Sequence, residues 1–235
     1  MKNNLFMPTD ILLPAEKPEK WAVIACDQYT SEPEYWENVR KTAGDAPSAF
    51  NIIFPEAFLG KNNAEKISKI NSVMKSYLEG GVFKEYKNTF VYTERTIKNG
   101  KTRRGIIGLI DLDNYSYEKG SKALIRATEA TVKERIPARV EIRRGAYLEM
   151  PHVMLLCDDP ENLLIGGLQK SIDNFECLYD FDLMCGGGHI RGFAPDKAAA
   201  EALEKHTEEH LRENGGDMLF VVGDGSHSYA APKEC

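Results

Sequence analysis

The side chains best suited to chemistry gather near the C-terminal end of the chain. Met218-Leu-Phe-Val-Val222 is followed there by Gly223-Asp-Gly-Ser-His-Ser228 and Tyr229-Ala-Ala-Pro-Lys-Glu-Cys235. Five apolar residues in a row have the length and composition of a buried strand. The glycines that follow permit a turn closed to most side chains, and Asp224, Ser226, His227 and Ser228 cluster where a helix would begin. A strand, a glycine turn and a helix N-terminus together make an anion site, because free N–H groups and the positive end of the helix dipole converge there. In that reading Asp224 and His227 are the candidate catalytic pair, as metal ligand or general base and as phosphate or substrate contact. Gly223, Gly225, Ser226 and Ser228 would hold the phosphates. The competing reading is a simple turn in which Asp224 or Ser226 caps the helix. The segment also fits G-x-G-x-x-S loosely, but such a match carries weight only inside a βαβ unit.

Three other groupings bear on the same question. Arg126-Ala-Thr-Glu129 opens a segment, Lys122 to Arg144, with seven basic and three acidic residues in a chain of net charge −6. A locally positive stretch could hold phosphate or carboxylate, to which the guanidinium fork is suited; a solvated face of alternating charges is the alternative. In Gly186-Gly-Gly-His189-Ile-Arg191-Gly192 the histidine and arginine occupy alternate strand positions, hence one face, after glycines that allow a close backbone approach. His206-Thr-Glu-Glu-His210 has the H-x-x-E-H spacing of some zinc peptidases. A catalytic zinc takes three protein ligands and no third is evident, so this segment reads as an exposed helix and no metal site is assigned.

The elements that would position these residues alternate along the chain. Strand-like runs are Trp21–Ala25, Phe50–Phe54, Thr89–Ile97, Arg103–Leu112, His152–Cys157, Tyr179–Met184, His189–Phe193 and Met218–Val222. Asn99-Gly100 between two of them is a strong hairpin signal. Helices are expected from Pro33 to Lys41, behind a Ser31/Glu34 capping box, and from Asn63 to Leu78, ending at Gly80-Gly81. Others are expected over Ser121–Arg135, ending before Pro137, after Asp158-Asp159-Pro160, and from Pro195-Asp196 to Glu213. Hairpins mixed with crossover helices imply an α+β fold with a mixed sheet, taken as a single domain over residues 1–235.

Composition narrows the function classes. A net charge of −6 disfavours a general nucleic-acid binder, which needs a basic face. Five cysteines, an odd count without a CxxC pair, suit a reducing compartment better than a disulfide framework. No apolar stretch is long enough to span a bilayer, and the N-terminus lacks the pattern of a signal peptide. A cytoplasmic protein is expected, with no membrane partner.

Five segments, in order, resemble the bacterial and archaeal family labelled domain of unknown function 1015. They are Trp21–Trp36 (Trp-Ala-Val-Ile-Ala-Cys-Asp-Gln-Tyr-Thr-Ser-Glu-Pro-Glu-Tyr-Trp), Ile125–Thr131, Glu134–Arg139, Gly187–Gly192 and Met218–Cys235 with its Gly-Asp-Gly-x-His-Ser core. The Asp-Gly-x-His element also resembles the phosphate-contacting motif of ParB-type partition domains, sulfiredoxin and free-serine kinases. That resemblance implies a motif at a helix start that touches nucleotide phosphates. Ser226 stands where the first family usually has Asn, and Ser228 where the kinase forms carry Arg. The missing cation would then come from elsewhere, with Arg126 or Arg191 the candidates and Glu129 and His189 in the same composite pocket. Family members run past this C-terminus, so a truncated chain with a marginal terminal helix, further weakened by Pro232, is expected.

The expected function is nucleotide binding, with ATP or ADP and magnesium, and phosphotransfer to a small hydroxylated or amino-acid substrate. The alternative is a non-catalytic nucleotide-sensing or partner-binding module, or an inactive fragment of the family enzyme.

Overall fold

The computed structural model describes residues 5–60, 62–150, 153–213 and 217–235. Short strands β1 (Phe6–Met7) and β2 (Thr9–Pro14) lead into a one-turn helix, α1 (Pro18–Trp21). Helices α2 (Pro33–Ala43) and α3 (Asn63–Glu79) follow, separated by 3₁₀ turns at Ala49–Asn51 and Glu56–Phe58. Strands β3 (Phe83–Thr89), β4 (Val91–Thr96), β5 (Thr102–Ile107) and β6 (Leu109–Ile110) come next. After β7 (Tyr115–Ser116) and β8 (Ile125–Ala127) the chain forms α4 (Ile136–Arg143), β9 (Met154–Cys157) and α5 (Leu164–Lys170). It continues through β10 (Glu176–Leu183), β11 (Gly188–Ala194) and α6 (Lys197–Glu213), then β12 (Phe220–Asp224) and α7 (Ser226–Glu234).

The fold is α+β. Two four-stranded sheets organise it: an antiparallel one in the order β10-β11-β4-β5 and a mixed one in the order β7-β8-β12-β9. In the mixed sheet β12 runs parallel to β8 and antiparallel to β9. Its apolar run alternates as the pleat requires: Phe220 and Val222 enter a core with Tyr115, Ile125 and Leu219, while Val221 faces the other way. Each such burial stabilises by about 1.5–3 kcal/mol. Opposite Val221, Leu156 on the β9 edge is 53% exposed, so that face of the sheet is open.

The Asn99-Gly100 hairpin joins β4 to β5, with Gly100 at φ 79°. Helix α3 ends at Gly80 as its spacing implied. The helix expected after Asp158-Asp159-Pro160 begins at Leu164, and the Asp159 carboxylate reaches forward to accept the Leu163 and Leu164 N–H groups at 2.8 and 3.0 Å. The expected strand His152–Cys157 is present as Met154–Cys157; His152 lies outside the described residues.

Four expectations are corrected. Trp21 closes α1, which Pro18 initiates, and its ring packs edge-on against Phe83 at 5.2 Å; residues 22–25 form no ladder. Phe50–Phe54 begins with a 3₁₀ turn because the Ser48 hydroxyl accepts the Phe50 N–H at 3.3 Å, a local bond that outcompetes extension. Glu32 precedes α2 without a side-chain cap, so the Ser31/Glu34 box does not form. Finally, Ser121–Arg135 is not a helix. It contains β8 and a 3₁₀ turn at Lys133–Arg135, and Pro137 lies in the first turn of α4, where its missing N–H costs nothing.

Helix α7 is formed through Glu234 with Pro232 inside it. Packing outweighs the proline. Tyr229, Ala230 and Ala231 are buried, and the Tyr229 ring lies 4.3 Å from that of Tyr115. The last turn is tied down where Lys233 Nζ donates to the Leu112 and Tyr115 carbonyls and Tyr117 donates to Glu234 at 2.7 Å.

Candidate functional site

Gly225 stands between β12 and α7 at φ 81°, ψ 30°, and no side chain caps the helix. Asp224 turns its carboxylate to the Gly225 N–H at 2.8 Å and is otherwise exposed. The N–H groups of Ser226, His227 and Ser228 therefore have neither an intrahelical acceptor nor a side-chain cap, which is the geometry an anion can use. Ser226 is buried.

His227 lies across this turn. Its Nε2 accepts the Val132 N–H at 3.0 Å, which leaves the imidazole proton on Nδ1. Burial lowers the pKa, and Arg135 and Arg139 lower it further; Glu129 and Asp27 oppose the shift. The ring is thus held neutral, with a donor available.

Helix α4 packs against α7 and brings Arg139, with Arg135 in the 3₁₀ turn directly ahead of it. Arg135 and Arg139, one turn apart, converge on the Glu56 carboxylate: Arg135 Nη2 sits 3.1 Å from Oε2, and Arg139 Nη2 engages Oε1. Arg139 also donates through Nη1 to the Arg135 carbonyl at 2.8 Å, which fixes its plane. Its side chain is 13% exposed, and burial lowers its pKa against the raising influence of Cys26 and Asp27. Glu56 is held in turn by its own N–H, which donates to the Cys26 carbonyl at 2.8 Å. The Cys26 thiol is pushed up by burial and by Asp27, with Arg139 opposing.

Other residues singled out above lie apart from this cluster or only touch it. Thr128, in the Arg126–Glu129 stretch, donates to the Val222 carbonyl at 2.7 Å, and the charge of Glu129 reaches His227. The Arg126 side chain turns away: Nε donates to Ala123 and Nη2 to Asp217, both ahead of the parallel strands whose far end carries the turn. His189 and Arg191 share a face of β11, in the antiparallel sheet. His189 lies between Asp182 at 2.7 Å and Asp180 at 2.6 Å, and Arg191 reaches Glu94 at 2.5 Å. Glu94 also accepts from Tyr92 at 2.9 Å and Arg104 at 3.1 Å. Burial raises the pKa of Glu94, but these three donors outweigh it, and the net shift is downward. Glycines on either side of His189 have a structural reason. A Cβ on Gly188 would collide with the Thr96 carbonyl, and one on Gly192 with the Tyr179 ring.

His206 and His210 lie on α6 with Glu209 and Asp158 as neighbours. Among the described residues no group of three or more His, Cys, Asp or Glu side chains is placed to hold a metal. Nor is any described helix long and apolar enough to cross a membrane.

The family model described as protein of unknown function, DUF1015, matches residues 8–235. The chain belongs to that family. No curated protein and no solved structure matches it. For this DUF1015 member, three segments quoted above for their resemblance converge at the α7 N-terminus: Trp21–Trp36 through Cys26 and Asp27, Glu134–Arg139 through its arginines, and Met218–Cys235 through the turn.

Four residues of the cluster were absent from the candidates drawn from sequence: Asp27, Glu56, Arg135 and Arg139. Both arginines lay in the basic segment, but the expected helix ended at Arg135, ahead of Pro137, so nothing in the sequence placed Arg139 one turn beyond it. Glu56 carried none, since its role depends on a 3₁₀ turn docked on Cys26.

Proposed function

We propose that the chain binds the phosphates of ADP or ATP at the turn between β12 and α7 and transfers a phosphoryl group to a small hydroxylated or amino-acid substrate. One observation carries this reading: an uncapped helix N-terminus beside two arginines and a histidine held neutral. Phosphoryl transfer needs positioning and charge neutralisation more than covalent participation. The N–H groups of the first turn and Nδ1–H of His227 would donate to phosphate oxygens, and the α4 guanidiniums would offset their charge. Asp224, exposed beside the turn, would accept the substrate hydroxyl proton as its oxygen attacks the terminal phosphorus. The bond to the bridging oxygen breaks, and the nucleotide leaves one phosphate shorter. The other role open to Asp224, in place of base, is to hold magnesium, which is commonly bound by one or two carboxylates together with phosphate oxygens; the ion would neutralise phosphate charge.

Thermal shift and calorimetry with ADP or ATP, with and without magnesium, test the binding. Asp224→Ala and His227→Ala should abolish nucleotide-induced stabilisation with little change in the melting temperature of the free protein. Unaltered binding by both variants, with lowered stability, would make these residues structural. Binding without turnover of nucleotide against a panel of small alcohols and amino acids would assign a sensing module in place of a transferase.

A further inference from the structure

We infer that Arg135 and Arg139 form an oxyanion subsite beside the β12–α7 turn, and that Glu56 occupies it as a resident stand-in for a phosphoryl or carboxylate group of the ligand. This rests on the reading of the turn as a phosphate site. Arg135, at the end of the 3₁₀ turn, and Arg139, one turn further on in α4, meet a single carboxylate, one on each oxygen. That is how arginine pairs hold a bound phosphate or carboxylate. The arginine charges also act on His227 at the head of α7, so clamp and turn share one electrostatic space.

The clamp is closed at one end and open at the other. Arg139 is 13% exposed and pinned to the Arg135 carbonyl, whereas the Arg135 side chain is 47% exposed. An anion can therefore approach from the Arg135 side. Glu56 heads a three-residue 3₁₀ turn flanked by Pro55 and an extended Leu59. Its backbone is anchored at Cys26, so only side-chain torsions need change for the carboxylate to leave. Cys26 and Asp27 lie close enough to Arg139 for their charges to act on it, and the charge of Asp27 also reaches His227. The ligand group must be an oxyanion able to accept from two guanidiniums at once. Glu56 keeps those arginines paired and aligned while no ligand is bound, and it competes with the ligand for them.

The experiment is calorimetry with inorganic pyrophosphate on the full chain at fixed low ionic strength, comparing wild type, Glu56→Gln, Glu56→Asp and His227→Ala. Removing a competitor that makes charge-assisted bonds should tighten binding about tenfold or more in Glu56→Gln. Glu56→Asp, one methylene shorter, should fall between it and wild type. Equal or weaker binding by a folded Glu56→Gln means that Glu56 only positions the arginines, and the inference falls. If that variant does not fold, Glu56→Asp decides by the same criterion. A loss in His227→Ala with no gain in the Glu56 variants overturns the stand-in and keeps the turn. A gain in the Glu56 variants with no loss in His227→Ala keeps the clamp and removes the turn. No effect in any variant removes both.

Discussion

Two histidines in this chain are pushed in opposite directions, and the cause is local in each case. Burial and the α4 arginines lower the pKa of His227 from its ordinary 6.5. Hydrogen bonds to Asp182 and then Asp180 raise that of His189 from the same value. With a depressed folded pKa, His227 contributes stability that is present above 6.5 and lost as pH falls through its folded value. The raised pKa of His189 gives a contribution present below 6.5 and lost as pH rises through its folded value. A two-dimensional NMR titration of the imidazole carbons should place the His227 midpoint below 6.5 and the His189 midpoint above it. Coincident midpoints would deny the environments described. Gly225 is equally local. Its left-handed backbone makes Gly225→Ala destabilising by about 1–2 kcal/mol in urea unfolding, whether or not a ligand is present. At this scale the turn was legible because glycine, aspartate and serine have distinct backbone roles. Arg135 and Arg139 were visible only as basic residues, since net charge does not say which guanidinium finds a partner and which faces water. The shared face of His189 and Arg191 could be read from strand alternation, but not the carboxylates that engage them from β4 and β10.

Helix α7 carries the clearest conflict between propensity and packing. Pro232 removes one ladder bond and crowds the carbonyl four residues back, yet the helix runs to Glu234 because its buried face and its last turn are both held. Pro232→Ala should therefore stabilise the protein by about 1–3 kcal/mol, read as a higher urea midpoint at unchanged slope. No gain would mean that the local chain has already relaxed around the ring. Hydrogen exchange should show Val222, Ala230 and Ala231 protected together, since α7 and β12 share one core. Long elements were legible: α3 by its 3.6-residue period, and the β4–β5 hairpin by its Asn-Gly turn. Shorter ones were not. A three-residue strand such as β8 is too brief for periodicity to register, and it becomes a strand only because β7 and β12 flank it. Pro137 was misread for a related reason, because proline marks both the first turn of a helix and the end of one.

At the scale of the whole molecule, an acidic chain brings two arginines from a distant segment to the head of α7, where Glu56 pairs with both and the charges of Asp27 and Glu129 reach His227. Arg135 and Arg139 come to the head of α7 because α4 packs against that helix, while Asp180 and Asp182 belong to β10 of the antiparallel sheet. Anion binding should accordingly depend on salt. Raising ionic strength from 50 to 500 mM should weaken pyrophosphate binding several-fold, as expected for partly exposed charges whose screening length falls from about 14 Å to about 4 Å over that range. A salt-independent affinity would point to an apolar contact instead. The most direct test of the central claim is calorimetric titration of ADP with magnesium into wild type and His227→Ala. The β12–α7 turn as phosphate site predicts measurable binding by wild type and at least a tenfold loss in the variant, with the two free proteins melting at nearly the same temperature. Equal affinity in the two proteins, or no binding by wild type, would contradict it.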